Sequence, residues 1–197
     1  MALFNRDKII LDLCGGTGAW SKPYKDAGYD VRVITLPEND VCLYKPQFRV
    51  YGILAAPPCT HFSGSGALYW DEKDRDGRTL KDLNIVAHCC RIILMTKPHF
   101  WCLENPVGRL KRWIGEPVAK FNPCDYGDAF TKKTLLWGNF NIPFKDKKVQ
   151  PVEVPSQDYS SLDVFYGIEK QYHSPEKAAI RSITPPGFAK AFFEANP

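Results

Sequence analysis

The sequence lacks the cysteine patterns that mark disulfide frameworks and structural zinc sites. Its seven cysteines are odd in number, no two of them form a CxxC pair, and no group of cysteines and histidines has the spacing of a zinc site. Disulfide frameworks need paired cysteines, and zinc sites need closely spaced ligands. We therefore expect reduced thiols and no bound metal.

Long apolar runs are also missing. No stretch is long enough to cross a bilayer, and the first residues contain no signal core. Internal repeats and low-complexity tracts do not occur either. With 197 residues, 44% of them hydrophobic and 24% charged, the chain is predicted to form one globular domain over residues 1–197, soluble and cytoplasmic, with no membrane contact.

The glycine signatures of phosphate-binding loops, GxxxxGK[ST] and GxGxxG, are absent as well. A different glycine turn is present, Asp12-Leu13-Cys14-Gly15-Gly16-Thr17-Gly18, at the end of an apolar run. Glycines let the backbone approach a ligand closely at the edge of an α/β sheet, although purely structural turns share this composition. The turn therefore favours an adenosyl ligand without phosphates, or no ligand at all.

Apolar runs and helical spacing alternate along the chain. Strands are predicted over 8–13, 30–36, 51–55, 100–103 and 134–140, and helices over 21–27 and 79–96. Thr184 is the expected cap of a closing helix with Pro185 as its first residue. The segment 141–172, rich in Pro, Lys, Ser and Asp, is predicted to be a surface excursion. This order predicts an α/β fold with a doubly wound, mostly parallel sheet.

Two predicted strand ends carry candidate reactive groups. Cys59 follows one strand in the turn Ala56-Pro57-Pro58, and Glu104 closes another. Since parallel strands end at the same edge of a sheet, the two side chains should lie close together. A thiol there could act as a nucleophile, and a buried carboxyl could hold a proton near neutrality. An inert small apolar cysteine and an acid that caps a turn are the alternatives.

Taken together, these segments resemble the DNA (cytosine-5) methyltransferase family. The turn 12–18 is similar to its first motif, which binds S-adenosyl-L-methionine, and Pro58-Cys59 is similar to its catalytic Pro-Cys motif. Glu104-Asn105-Pro106 resembles its Glu-Asn-Val motif, and 181–189 resembles the closing motif that completes the cofactor pocket. The resemblance implies the Rossmann-like fold of class I S-adenosylmethionine-dependent methyltransferases.

The resemblance also implies roles for individual residues. Cys59 would add to C6 of cytosine, protonated Glu104 would bind the N3 and amino edge, and Lys132 would replace an arginine of the family's Arg-x-Arg motif. Either Glu38 or Asp40 could bind the ribose, and the resemblance places Asp40 on the adenine. The implied cofactor-binding set is Asp12, Cys14, Gly15, Gly16, Thr17, Gly18, Trp20 (a stacking partner or a core residue), Leu36, Asp40, Pro57, Ser182 and Thr184. The implied substrate-binding set is Pro58, Ser63, Asn105, Arg109, Lys133 and Thr134.

The sequence departs from the family where a target-recognition domain normally stands. Only a reduced insertion, 141–179, occupies that interval. Three functions are therefore compatible with the chain: methylation of C5 of cytosine in DNA, the same reaction on a free cytidine nucleotide such as dCMP, and non-catalytic nucleic-acid binding. The basic stretches 109–112, 132–133 and 145–148 suit a DNA track, although they also suit a solvated surface. The sequence favours DNA, with an unknown partner as a possible source of specificity.

Overall fold

The computed structural model describes residues 4–155, 160–168 and 175–197. The described residues form one six-stranded sheet with the strand order β2-β1-β3-β4-β6-β5. The strands are β1 (Ile9–Leu13), β2 (Asp30–Ile34), β3 (Gly52–Ala55), β4 (Phe100–Pro106), β5 (Ala119–Phe121) and β6 (Thr134–Asn139). The first four are parallel to one another, while β6 runs antiparallel to β4 and β5 antiparallel to β6. The predicted mostly parallel sheet is confirmed.

Helices cover both faces of this sheet. They are α1 (Lys22–Asp26), α2 (Trp70–Arg75), α3 (Arg78–Thr96), α4 (Lys111–Ile114), α5 (Ser161–Phe165), α6 (Pro175–Ser182) and α7 (Pro186–Ala195). The long helix α3 packs Val86, Cys89 and Ile92 on one face, in a core shared with Leu11 and Ile53. Because parallel strands are buried on both sides, they read as continuous apolar runs, and that is how β1 and β3 appear in the sequence.

The opposite face is built around aromatic side chains of α1 and α7. Phe188 and Phe192 lie one helical turn apart and are fully buried. Phe188 stacks on Phe121, with ring centroids 3.8 Å apart, and Phe192 meets Trp20 edge to face at 5.4 Å. Helices on both faces make the fold doubly wound, as the sequence predicted.

Some element boundaries differ from the prediction. The closing helix begins at Pro186 and Pro185 is its cap, so Thr184 is not the cap. The reason is that a residue before proline avoids helical backbone angles, and Pro185 accordingly has ψ of 130°. Strand β2 ends at Ile34 instead of residue 36. The segment 141–172 contains a helix, α5, whose start is fixed by a capping box between Ser160 and Asp163; residues 156–159 and 169–172 of that segment lie outside the described residues.

No helix in the described part of the chain is both long and apolar enough to cross a membrane.

Candidate active site

A cavity of roughly 380 Å³ opens at the carboxyl edge of β1, β3 and β4. Five separate segments form its walls, and they include most of the residues that the sequence singled out. Those residues are Asp12, Cys14, Gly15, Gly16, Thr17, Trp20, Pro57, Pro58, Cys59, Glu104, Asn105, Lys132, Ser182 and Thr184. The structure thus brings the glycine turn, the thiol and the carboxyl into one space.

Two further predicted residues, Leu36 and Asp40, line an adjoining cavity of about 390 Å³. The two cavities share walls formed by Cys14, Ala56, Pro58 and Ser182. One carboxylate oxygen of Asp40 accepts a hydrogen bond from the backbone N–H of Cys42 at 2.8 Å, which fixes its loop. The two cavities thus adjoin, one beside the end of β2 and the other beside the end of β4.

The glycine turn leaves room for a ligand and for a buried acid. A Cβ atom on Gly15 would lie 2.3 Å from Cγ of Asp12, so only glycine fits at that position. Asp12 is fully buried, and its Oδ2 accepts a hydrogen bond from the hydroxyl of Ser21 at 2.6 Å. Its Oδ1 has no partner within the described residues. Burial raises the pKa of Asp12 to about 6.

These features fit an amino-acid-like or nucleoside-like ligand. Buried polar atoms are normally hydrogen-bonded, and an orphaned one at a cavity wall points to a missing partner. Asp12 Oδ1 could accept a hydrogen bond from an amino or hydroxyl group, and the bare backbone of the turn permits close approach.

Gly18 differs from the other glycines of the turn, because it lies behind the turn. Its carbonyl accepts a hydrogen bond from the hydroxyl of Ser21, and its φ of 72° needs glycine. Gly18 therefore shapes the turn, and its predicted contact with a cofactor stays a prediction.

Cys59 stands just past β3, where its carbonyl accepts hydrogen bonds from the N–H groups of Phe62 and Ser63. Burial raises the pKa of its thiol, and the negative charge of Glu104 raises it further. The amine of Lys132 acts in the opposite direction. A thiol in this setting holds its proton until nearby charge changes.

Glu104 lies at the end of β4, opposite Leu136 of β6. Its Oε2 is buried and has no partner within the described chain. Burial raises the pKa of this carboxyl, and Lys132 partly opposes the shift. Burial thus favours the protonated form of this carboxyl, which can donate a hydrogen bond into the cavity.

Asn105 and Lys132 tie the walls together. Asn105 donates from Nδ2 to the carbonyl of Pro57 at 3.0 Å, which joins the end of β4 to the proline turn before Cys59. The amine of Lys132 donates to the carbonyl of Arg181 at 2.7 Å, which joins the wall before β6 to helix α6. Both residues therefore hold the shape of the cavity that they line.

The loop that follows Cys59 is held by two buried cations. Lys73 of α2 donates to the carbonyl of Thr60 at 2.9 Å. Arg109 donates from Nε to the carbonyl of His61 at 3.1 Å. Its other nitrogens bind Asp74 Oδ2 at 2.8 Å and Thr79 Oγ1 at 2.7 Å. We call residues 60–63 with these two cations the clamped loop.

Arg109 was predicted to bind substrate, and the structure places it elsewhere. Arg109 is 3% exposed, and its guanidinium is engaged by the clamped loop and by residues of α2 and α3. Substrate binding by Arg109 stays a prediction, and the contacts of its side chain give it a structural role, because a basic cluster in a sequence does not show which of its members is buried. The role of Lys73 was missed altogether, since a lysine among the charges of 71–76 looks like a solvated surface residue.

The remaining predicted substrate residues lie outside the cavity. Thr134 is buried in the sheet, and its hydroxyl donates to the carbonyl of Lys132. The hydroxyl of Ser63 lies beside that of Ser65 at 2.9 Å and caps the turn Gly64–Tyr69. Lys133 is exposed next to the mouth. Within the described residues, no group of three or more His, Cys, Asp or Glu side chains is placed to hold a metal ion.

Comparisons with known proteins show a shared fold. No protein-family model matches the sequence, and no curated protein does either. Among solved structures, the chain is similar to a proposed DNA modification methyltransferase encoded within a prophage of E. coli, with a TM-score of 0.50 and 18% identity. The match covers 83% of this chain and 56% of that one, so this chain spans little more than half of that protein's length. The likeness shows that the two proteins share a Rossmann-like α/β fold.

Proposed function

We propose that the chain is a methyltransferase that uses S-adenosyl-L-methionine to methylate C5 of cytosine in DNA, with Cys59 as the nucleophile. One observation carries the proposal: a thiol, a carboxyl of raised pKa and an amine line the same cavity as a glycine turn beside a buried, partly unpartnered acid. The shared fold with a protein described as a DNA modification methyltransferase supports it.

The glycine turn and Asp12 would hold the cofactor, with Leu36 and Asp40 along the adjoining cavity. When bound, the cofactor supplies a methyl group of strongly electrophilic character. The positive charge of the bound cofactor would also lower the pKa of the Cys59 thiol and so oppose the effect of its burial. Trp20 lines the cavity but is almost fully buried beside Phe188 and Phe192, so its main contribution is to the core.

The chain's own residues would then act in sequence. The Cys59 thiolate forms a bond to C6 of cytosine, and the displaced ring electrons move towards C5 and N3. Glu104, holding its proton, donates to N3 and stabilises the charge that develops there. C5 takes the methyl group. Water then accepts the C5 proton, and the electrons of the C5–H bond re-form the ring double bond while the bond between C6 and sulfur breaks and releases the Cys59 thiolate.

The cavity favours a polymer over a free nucleotide. A free nucleotide brings a dianionic phosphate, which proteins usually bind with arginine or backbone amides. Of the described residues that line the cavity, the cations are Lys132 and Arg181. Lys132 donates to a carbonyl, and the guanidinium of Arg181 forms a bidentate ion pair with Asp163. Neither is arranged to receive a phosphate, so we place the phosphates outside the cavity.

The test compares Cys59→Ala with Cys90→Ala, a partly buried cysteine of α3 that does not line the cavity. Each variant receives labelled S-adenosyl-L-methionine with single-stranded DNA, duplex DNA or dCMP. We expect Cys90→Ala to label DNA and Cys59→Ala to bind the cofactor without labelling anything. Label in dCMP alone would show that the substrate is a nucleotide, and full activity of Cys59→Ala would remove Cys59 from the reaction.

A covalent trap tests the addition step directly. Fluorine at C5 of cytosine blocks the final loss of a proton, so the bond between Cys59 and C6 should persist. Mass spectrometry should then find the oligonucleotide on the peptide that contains Cys59. Turnover of normal cytosine without any such adduct would contradict addition at C6.

A further inference from the structure

Three segments that line the cavity continue outwards together as its rim. Ser63 pairs with Gly108 in an isolated antiparallel bridge, and Gly64 N–H donates to the carbonyl of Val107 at 2.9 Å. Val107 N–H donates in turn to the carbonyl of Lys133 at 3.2 Å. Since Thr60, Pro106 and Lys132 are cavity residues, the surface formed by residues 64–70, 107–113 and 133 begins where the cavity opens.

This surface, which we call the rim, exposes large apolar side chains. Leu68 is 94% exposed and Tyr69 58%, while Val107 and Trp113 are each 44% exposed. Apolar side chains gathered on one exposed surface usually mark an interaction site. The rim is therefore a candidate docking surface that is continuous with the cavity.

Cations are interleaved with the aromatic rings of the rim. The guanidinium of Arg109 lies 4.9 Å from the ring centroid of Trp70 and 5.6 Å from that of Trp113. The guanidinium of Arg112 lies 5.6 Å from the ring of Trp70. These contacts hold the indole rings in place and leave Arg112 at the surface.

The charge balance of the rim favours an anionic partner. Of the four acids of residues 71–76, Asp74 pairs with Arg109 and both Glu72 and Asp76 pair with Arg78, which leaves Asp71 as the one without an ion pair within the described residues. In the described part of the chain, neither Arg112 nor Lys133 forms an ion pair. Two cations are thus available for phosphates next to Tyr69 and Trp113.

We propose that the rim binds single-stranded DNA beside the target cytosine, with bases stacked on Tyr69 and Trp113 and phosphates on Arg112 and Lys133. The identity of the base in the cavity rests on the proposed function. Exposed rings beside surface cations are the means by which proteins hold unpaired strands. In a duplex the base faces are stacked and the target base must first be flipped out of the helix. In a single strand the base faces and the target cytosine are already accessible, so no free energy is spent on unpairing.

The experiment measures binding of fluorescent oligonucleotides to the cofactor-free protein by anisotropy. The probes are a single strand of about twelve nucleotides with one cytosine and its duplex form. The variants are Tyr69→Ala, which removes a stacking ring, and Arg112→Gln, which removes a charge. Their matched controls are Leu94→Ala and Arg49→Gln. Leu94 is exposed on the last turn of α3 and Arg49 is exposed just before β3, so both lie at the opposite edge of the sheet.

We expect the single strand to bind at least tenfold more tightly than the duplex. Tyr69→Ala should weaken binding about tenfold, Arg112→Gln should weaken it and flatten its salt dependence, and the controls should bind as the parent does. Equal or tighter binding of the duplex would overturn the proposal, as would unchanged affinity in both rim variants. A dimer of the protein that Tyr69→Ala dissociates would also overturn it, since the rim would then be an interface between copies. None of these results depends on methyl transfer, so the rim and the role of Cys59 can fail separately.

Discussion

At the residue scale, the protonation states of Glu104 and Cys59 determine which chemistry the cavity can support. Burial raises the pKa of both Glu104 and Cys59. For Glu104 this favours the protonated form that donates a hydrogen bond, whereas for Cys59 it disfavours the reactive thiolate. The two groups are linked, because a protonated Glu104 no longer carries the charge that raises the pKa of Cys59.

This link predicts how the reactivity of Cys59 responds to pH. Glu104→Gln should move the midpoint of Cys59 alkylation by iodoacetamide to lower pH, because a negative charge is lost. Lys132→Met should move the midpoint to higher pH, because a positive charge is lost. Mass spectrometry of the Cys59 peptide across a pH series measures both shifts, with exposed Lys133→Met as the control. Shifts in the reverse directions would contradict the arrangement.

We predict that the buried charge of Asp12 lowers the stability of the folded protein while the same side chain contributes to ligand binding. In the folded state its pKa is raised from 3.8 to about 6. Well below pH 3.8 the carboxyl is protonated in both the folded and the unfolded protein, so the raised pKa does not change the stability. Above about pH 6 the carboxyl is ionised in both, and its buried charge then lowers the free energy of unfolding by the full value of the shift. Such a shift corresponds to about 3 kcal/mol, an upper bound for the stability that Asp12→Asn could gain near neutrality. Cofactor binding by the variant should weaken.

Urea unfolding at about pH 8 and about pH 3 measures this effect. The gain of Asp12→Asn should appear at the higher pH and vanish at the lower. Asp26→Asn, an exposed residue paired with Lys22, serves as the control and should change little at either pH. A gain that persists at low pH would show that the charge of Asp12 is not the cause.

At the scale of elements, the clamped loop links α2 and α3 to the segment that carries Cys59. Arg109→Met should lower the free energy of unfolding by about 2–4 kcal/mol, because the carbonyl of His61 and the hydroxyl of Thr79 lose a buried partner. Arg109→Lys should recover little, since a lysine cannot reach three acceptors at once.

Urea denaturation of Arg112→Met provides the comparison. Arg112 belongs to the same basic stretch but is exposed, so its loss should stay within about 0.5 kcal/mol. Equal losses of unfolding free energy in Arg109→Met and Arg112→Met would contradict a stabilising role for the buried contacts of Arg109. The two arginines look alike in the sequence, and only their places in the fold separate them.

The elements that the sequence predicted are those with a local signal. The apolar runs of β1, β3 and β4 and the helical spacing of α3 are visible without the structure. Strand β5 is not, because three residues, Ala119–Phe121, carry no pattern and owe their conformation to pairing with β6. The clamped loop was hidden for the same reason, since Lys73 and Arg109 acquire their role only when distant segments meet.

At the scale of the whole molecule, α7 closes the aromatic core on one face of the sheet. Phe192→Ala should cost about 3–5 kcal/mol, because a fully buried ring leaves a cavity among Trp20, Phe100 and Phe140. Lys190→Ala, on the exposed side of the same helix, should cost less than about 0.5 kcal/mol. Thermal or urea unfolding of both variants measures the difference.

The topology explains why most of the site could be anticipated. Parallel strands end at one edge, so motifs that follow β1, β3 and β4 had to meet there. What the sequence could not show is that Thr134 and Ser63 turn away from the cavity while Arg181 and Thr60 line it. Side-chain direction at loop positions depends on tertiary contacts such as the bond between Lys132 and Arg181.

The hydrogen bond between Lys132 and Arg181 has a consequence for when the pocket forms during synthesis of the protein. Residues 181–184 complete the cavity wall, and a ribosome adds them long after Cys59 and Glu104. A nascent chain therefore exposes its thiol in an open groove and acquires the full pocket only when α6 and α7 have left the exit tunnel and docked. Translation order itself delays completion of the pocket around Cys59 until residues 181–184 have been added.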